Sequence, residues 1–122
     1  MGSRVRIKVE WLVPLGQGRR ITDALQYLAA EIRPTHGCVG CSVMTDIGNC
    51  ATVRYTEEWL TEDDLRERVR SDNFVRLAIL IEDAIQTPHV EFVLPHETRG
   101  LDFVREVRVS PGGMAEPGAG SR

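Results

Sequence analysis

The sequence predicts an α+β fold: one antiparallel sheet with two helices packed on a single face. Three observations carry this. Residues 4–13 alternate between apolar and polar, the period of a strand with one dry face. Two later stretches, 19–33 and 62–85, place apolar residues at i, i+3, i+4 and i+7, the period of an amphipathic helix. The segments follow in the order β-α-β-β-α-β, with one further strand-like run at the end. At 122 residues, 42% hydrophobic and 27% charged, the chain has the size and apolar content of one domain.

In the first strand Val5, Ile7, Val9, Trp11 and Val13 share one face, and Arg4, Arg6, Lys8, Glu10 and Leu12 the other. "PLGQG" breaks it. The first helix sets Ile21, Ala24, Leu25, Leu28, Ala29 and Ile32 on one stripe. It ends at Pro34, because the residue before a proline is pushed out of the α region. "CVGCSVMTDI" and "CATVRYTEEW" read as two strands joined at "GN", a turn signal. On the second of them Ala51, Val53, Tyr55 and Trp59 share a face that Glu57 interrupts.

Thr61 is a candidate N-cap, followed by Glu62, Asp63 and Asp64 where the helix dipole favours anions. Ser71 looks like a second cap, so the helix is expected to break near Arg70. Beyond it Phe74, Leu77, Ala78, Ile81, Ala84 and Ile85 continue the stripe, and Pro88 closes it. "HVEFVL" is a fourth strand. "LDFVREVRV" is expected to be a fifth, with Leu101, Phe103, Val107 and Val109 on one face and Arg105 interrupting.

Net charge is −3, and the basic cluster Arg66, Arg68, Arg70 is interleaved with acids, so no nucleic-acid arm is expected. No apolar run is long enough for a membrane span and no signal-peptide pattern opens the chain, so a cytoplasmic protein is expected. Cys38, Cys41 and Cys50 are odd in number, which favours reduced thiols over a disulfide framework. The domain is assigned to residues 1–110. Residues 111–122, "PGGMAEPGAGSR", read as a disordered Gly/Pro-rich tail.

This element order is the ferredoxin-like split βαβ arrangement with an extra C-terminal strand. It leaves the second sheet face, with Arg6, Lys8, Arg54, Thr56 and Glu58 beside Leu12 and Met44, without a covering layer. A copy of the same sheet would cover it, so a homodimer is expected. The alternative is a monomer with a solvated face, which antiparallel sheets tolerate.

With "HGCVGCSV", "YTEEW" and "LRERVRSDNF" in these positions, about residues 5–95 resemble the antibiotic biosynthesis monooxygenase family, whose members are dimeric α/β barrels. The resemblance implies oxygenation of a quinol-like or polyphenolic aromatic molecule without metal or other cofactor, in a pocket between helices and sheet. Such a site needs an apolar cavity, a base and a donor for the developing anion. Many quinol-oxygenating members have a histidine where this chain has Arg68, and arginine cannot accept a proton. The haem-degrading branch is matched neither at Arg68, nor at Ala78, nor near Glu10, so haem is not expected.

The candidate catalytic residues are Arg68, as an electrostatic group, and Glu57, as a proton acceptor. The candidate substrate contacts are Trp11, Tyr55, Trp59, Phe74 and Leu77. Core packing is the competing account of both tryptophans, since an indole buries a large area. For Glu57 it is an ion pair with Arg68. For Glu10 it is a cross-strand pair with Arg54 or Lys8. His36, Cys38, Cys41 and Cys50 offer soft ligands, but strand parity sends Cys38 and Cys41 to opposite faces, so no metal is expected. A non-catalytic homodimer that binds a small molecule or a protein is the alternative function.

Overall fold

A computed structural model describes residues 4–14, 16–47, 51–84 and 86–109. Its elements are β1 (Val5–Val13), α1 (Gly18–Ile32), β2 (Cys38–Ile47), β3 (Ala51–Trp59), α2 (Glu62–Arg70), α3 (Asp72–Glu82), β4 (His89–Val93), β5 (Thr98–Arg99) and α4 (Asp102–Val109). The sheet is antiparallel with order β2-β3-β1-β4-β5. The first four strands have the split βαβ order expected, with β1 and β3 at the centre.

Register follows from alternation. Ile7 faces Glu57 on β3 and Phe92 on β4; Val9 faces Tyr55 and Val90. These dry residues meet Leu25, Leu28, Ala29 and Ile32 of α1 and Phe74, Leu77 and Ile81 of α3 in one core. A one-residue slip would turn every one of them to solvent, which fixes the pairing.

The second helix breaks where its caps require. Thr61 accepts from the Asp64 amide at 3.1 Å to start α2. Ser71 both ends α2 and caps α3, accepting from the Phe74 amide at 3.2 Å.

The extra strand exists, but not where the sequence placed it. It is only Thr98–Arg99, paired with β4, and the expected strand at residues 101–109 is instead the helix α4. Phe103 and Val107 lie four apart, a spacing that satisfies both periods. Val104 packs on the core beside them, whereas Leu101 and Val109, which a strand would have buried, are exposed. Local chemistry decides: Asp102 stands in the first turn with its carboxylate on the Gly100 amide, and Arg66 and Arg99 close over the Phe103 ring at 5.2 and 5.7 Å. Phe103 then stacks on Phe92 at 5.0 Å.

Among the described residues no helix packs on the opposite sheet face. Arg54 there bonds Glu10 at 2.9 Å and Asp46 at 2.7 Å, so the expected Arg54–Glu10 cross-strand pair is present. Leu12 and Met44 stand beside it, 47% and 58% exposed. Among the described residues no helix is long and apolar enough to cross a membrane. Cys50, Ile85 and the 111–122 tail lie outside the described residues.

Candidate active site

Strand parity puts Tyr55, Glu57 and Trp59 side by side on the dry face of β3, at its C-terminal half. Helical parity puts Arg68 with Leu65 and Val69 on the buried stripe of α2. The two elements therefore press a carboxylate and a guanidinium together inside the core, Glu57 0% and Arg68 4% exposed.

The geometry compensates both charges. Arg68 Nε donates to Glu57 Oε1 and Oε2 at 2.9 and 3.0 Å, and Arg68 Nη2 donates to Oε2 at 2.7 Å. Trp59 Nε1 donates to Oε1 at 2.9 Å and Tyr55 OH to Oε2 at 2.5 Å. Arg68 Nη1 donates to Ser71 Oγ at 3.2 Å, and Ser71 Oγ donates to the Arg68 carbonyl at 2.7 Å. The guanidinium also lies 5.4 Å from the Phe74 ring centroid. A buried ion pair is tolerated only when its remaining donors and acceptors are met in this way.

Burial alone would pull the Arg68 guanidinium down; the Glu57 carboxylate outweighs it and holds the group above its ordinary value. Burial, then the Glu57 charge, pushes the Tyr55 phenol far up, so it stays a donor. Burial likewise pushes the Cys41 thiol up to about 11 and raises Cys38.

A cleft of about 400 Å³ opens beside this cluster, between the end of α1 and the α2–α3 junction. Trp59, Arg68 and Ser71 reach it from the cluster; His36, Asn73 and Ile32 complete the wall, with Glu31, Asp64 and Glu67 around them. Gly37 shapes one end. Its φ is +87°, and a Cβ there would lie 2.3 Å from Asp64 Cγ, so only glycine lets the α1–β2 loop sit on α2. A cleft of similar size, about 410 Å³, lies at the opposite end of the helical layer, lined by Leu12, Val13, Ile21 and Leu80 among others. Among the described residues its charged groups are Arg20 and Asp83.

Glu57 and Arg68 thus meet as expected, with Tyr55, Trp59 and Phe74 around them. Trp11 and Leu77 are elsewhere in the core. Trp11 pairs with Val53, four residues along β3 from Glu57 or roughly 13 Å at ~3.3 Å per residue, and donates to the Leu80 carbonyl at 3.4 Å. The aromatic residues expected to surround a flat substrate instead fill the space between helices and sheet; only Trp59 touches the cleft. His36, Asn73 and the bonding role of Ser71 were not singled out as site residues from sequence. A cap and a loop histidine give no signal of which cleft they line.

Cys38 and Cys41 lie on the same face, opposite Trp59 and Glu57, because β2 slips register between Cys38 and Gly40. Among the described residues no three His, Cys, Asp or Glu side chains gather as a metal site.

Neither a family model nor a curated protein matches the chain. Solved structures do. A conserved protein from Methanosarcina mazei Go1 superposes with a TM-score of 0.64 at 20% identity, over 75% of this chain and 91% of that one. Protein SO0527 from Shewanella oneidensis gives 0.65 at 15% identity, over 81% and 93%. A Bacteroides thetaiotaomicron protein, described as of unknown function and a possible oxidoreductase, gives 0.63 at 15% identity, over 82% and 99%. At these identities the likeness shows the fold: a mixed α+β domain of ferredoxin-like topology.

Proposed function

We propose that this protein is a cofactor-independent monooxygenase of the antibiotic biosynthesis type, a homodimer that oxygenates a quinol-like or polyphenolic aromatic molecule in the cytoplasm. One observation carries the reading: the cleft of about 400 Å³ has an indole and a buried guanidinium in its wall and an imidazole beside them. That is a flat apolar contact, a fixed positive donor and a proton acceptor in one space. The family resemblance and the description of one structural neighbour as a possible oxidoreductase point the same way.

His36 takes the hydroxyl proton, since imidazole is the side chain suited to proton transfer near neutrality. Negative charge then develops on the ring oxygen. Arg68 is assigned to stabilise it with the terminal N–H donors that Glu57 and Ser71 do not hold. The electron-rich ring reacts with dioxygen; quinol plus O₂ gives hydroxyquinone plus water, with all electrons drawn from the substrate. Glu57, enclosed by donors, is the positioning residue that fixes Arg68 and Trp59.

A second copy covers the open sheet face, where Leu12 and Met44 stand exposed among cross-strand charges. A non-catalytic dimeric binding protein is favoured by one observation, that every oxygen of Glu57 is already bonded and Tyr55 and Phe74 are closed off. Oxygen uptake with a hydroquinone panel separates the two. The proposal expects turnover that falls about 10²-fold or more in His36→Gln with the fold intact. Ligand binding without uptake selects the second reading.

A further inference from the structure

We infer that the cleft beside Arg68 admits aromatic molecules that arrive neutral or positively charged and rejects those that carry a carboxylate, sulfate or phosphate. This rests on the cleft being the substrate site. At first sight Arg68 makes the cleft an anion site. The contacts say otherwise.

The Arg68 charge is already paired inside the core with Glu57, at 2.7 Å, with both side chains essentially unexposed, so it offers little to attract an anion from solvent. The carboxylates that line the cleft with Arg68 and His36 are Glu31, Asp64 and Glu67. Arg76 pairs with Glu31 at 2.9 Å and Arg70 with Glu67 at 3.2 Å, so two of the three carboxylates are partly offset. Asp64 is not. Among the described residues it has no cation within 4 Å, and its carboxylate is held in place by the Thr61 hydroxyl at 2.9 Å. Counted with their partners, the side chains lining the cleft therefore leave one carboxylate in excess, and low-dielectric walls strengthen its effect.

Hydrogen bonding points the same way. Asn73 Nδ2 donates to Glu31 Oε1 at 2.7 Å and toward the Leu28 carbonyl at 3.4 Å, which fixes the amide with Oδ1 turned away. That Oδ1 is buried and has no hydrogen-bond partner among the described residues, and Asn73 lines the cleft. An unmet buried acceptor calls for a donor, and a ligand hydroxyl or ammonium is one. The site is rich in acceptors, with an apolar patch at Trp59 and Ile32. It suits a hydroxylated aromatic ring, bare or with a basic side chain. The negative charge that Arg68 stabilises then appears only during reaction, after the substrate has entered neutral.

The test uses three hydroquinones of one size: ethylhydroquinone, its ω-amino derivative and its ω-carboxylate counterpart. Binding is measured anaerobically by calorimetry at low salt, on wild type and on an Asp64→Asn, Glu67→Gln variant. The inference expects the carboxylate to bind about tenfold or more weakly than the neutral ring, the amine at least as well as the neutral ring, and the gap to shrink severalfold in the variant. A carboxylate that binds as tightly as the neutral ring overturns the inference and leaves the cleft as the site. Failure of all three to bind folded protein, or binding that an Ile32→Trp plug does not disturb, removes the cleft as the site and the inference with it.

Discussion

Arg54 and Glu57 stand three residues apart on β3, on opposite faces of one sheet, and each belongs to an arginine–carboxylate cluster. On the open face Arg54 bonds Glu10 and Asp46 in solvent, with Glu10 45% and Asp46 66% exposed. On the helical face Glu57 and Arg68 are sealed from water and tied to Tyr55, Trp59 and Ser71. The contacts are alike and the consequences are not. An exposed pair exchanges water for a partner at little gain, while a buried pair must be complete or it becomes a liability. The first is free to meet another surface; the second is committed to holding the indole and guanidinium at the cleft.

Removing one partner from each cluster separates the two. Arg68→Ala leaves Glu57 charged and buried, and is expected to cost about 3–5 kcal/mol in urea unfolding. Glu57→Gln combined with Arg68→Met should cost less than the single change, because no charge is stranded; a double variant less stable than Arg68→Ala would contradict the buried-pair account. Gly37→Ala comes next. The positive φ and the clash with Asp64 together are expected to cost about 1–3 kcal/mol and to disturb the cleft. Ser71→Ala removes one cap and one Arg68 contact, for about 1 kcal/mol.

Alkali tests the burial on the helical face. Cys41 in the fold is raised from about 9 to about 11, so the stability that its protonated thiol contributes is full below pH 9 and lost as pH rises through 11. Cys41→Ser should flatten the stability profile across that window, and alkylation of the wild-type thiol should be slow at pH 8. The smallest effect belongs to the open face: Arg54→Ala should leave the urea midpoint of the protomer unchanged within error, and, if the proposed homodimer forms there, should act instead on its affinity and salt dependence, read by light scattering.

Much of this contrast was legible in the sequence. Alternation in residues 4–13 placed Trp11 and Glu10 on opposite faces. A carboxylate at position 57 on an apolar face demanded a cation, and Arg68 is that cation. Ser71 was readable as a cap because serine competes for backbone amides. The helix α4 was not readable as one, since Phe103 and Val107 fit either period and its hold comes from Arg66 and Arg99, distant in sequence or outside the run. Nor was the shared face of Cys38 and Cys41, which needs the slip in pairing at Val39 that parity alone does not encode. The cleft was the least legible part. It arises where the α1–β2 loop, α2 and α3 meet, and no local pattern records that His36 and Asn73 share a wall with Trp59.

The most direct measurement is isotopic: incubation of the protein with a hydroquinone under ¹⁸O₂ and mass spectrometry of the product. The account predicts one labelled oxygen per hydroxyquinone, formed by wild type and greatly reduced in His36→Gln. Unlabelled product, or no enzyme-dependent product from folded protein, would contradict it.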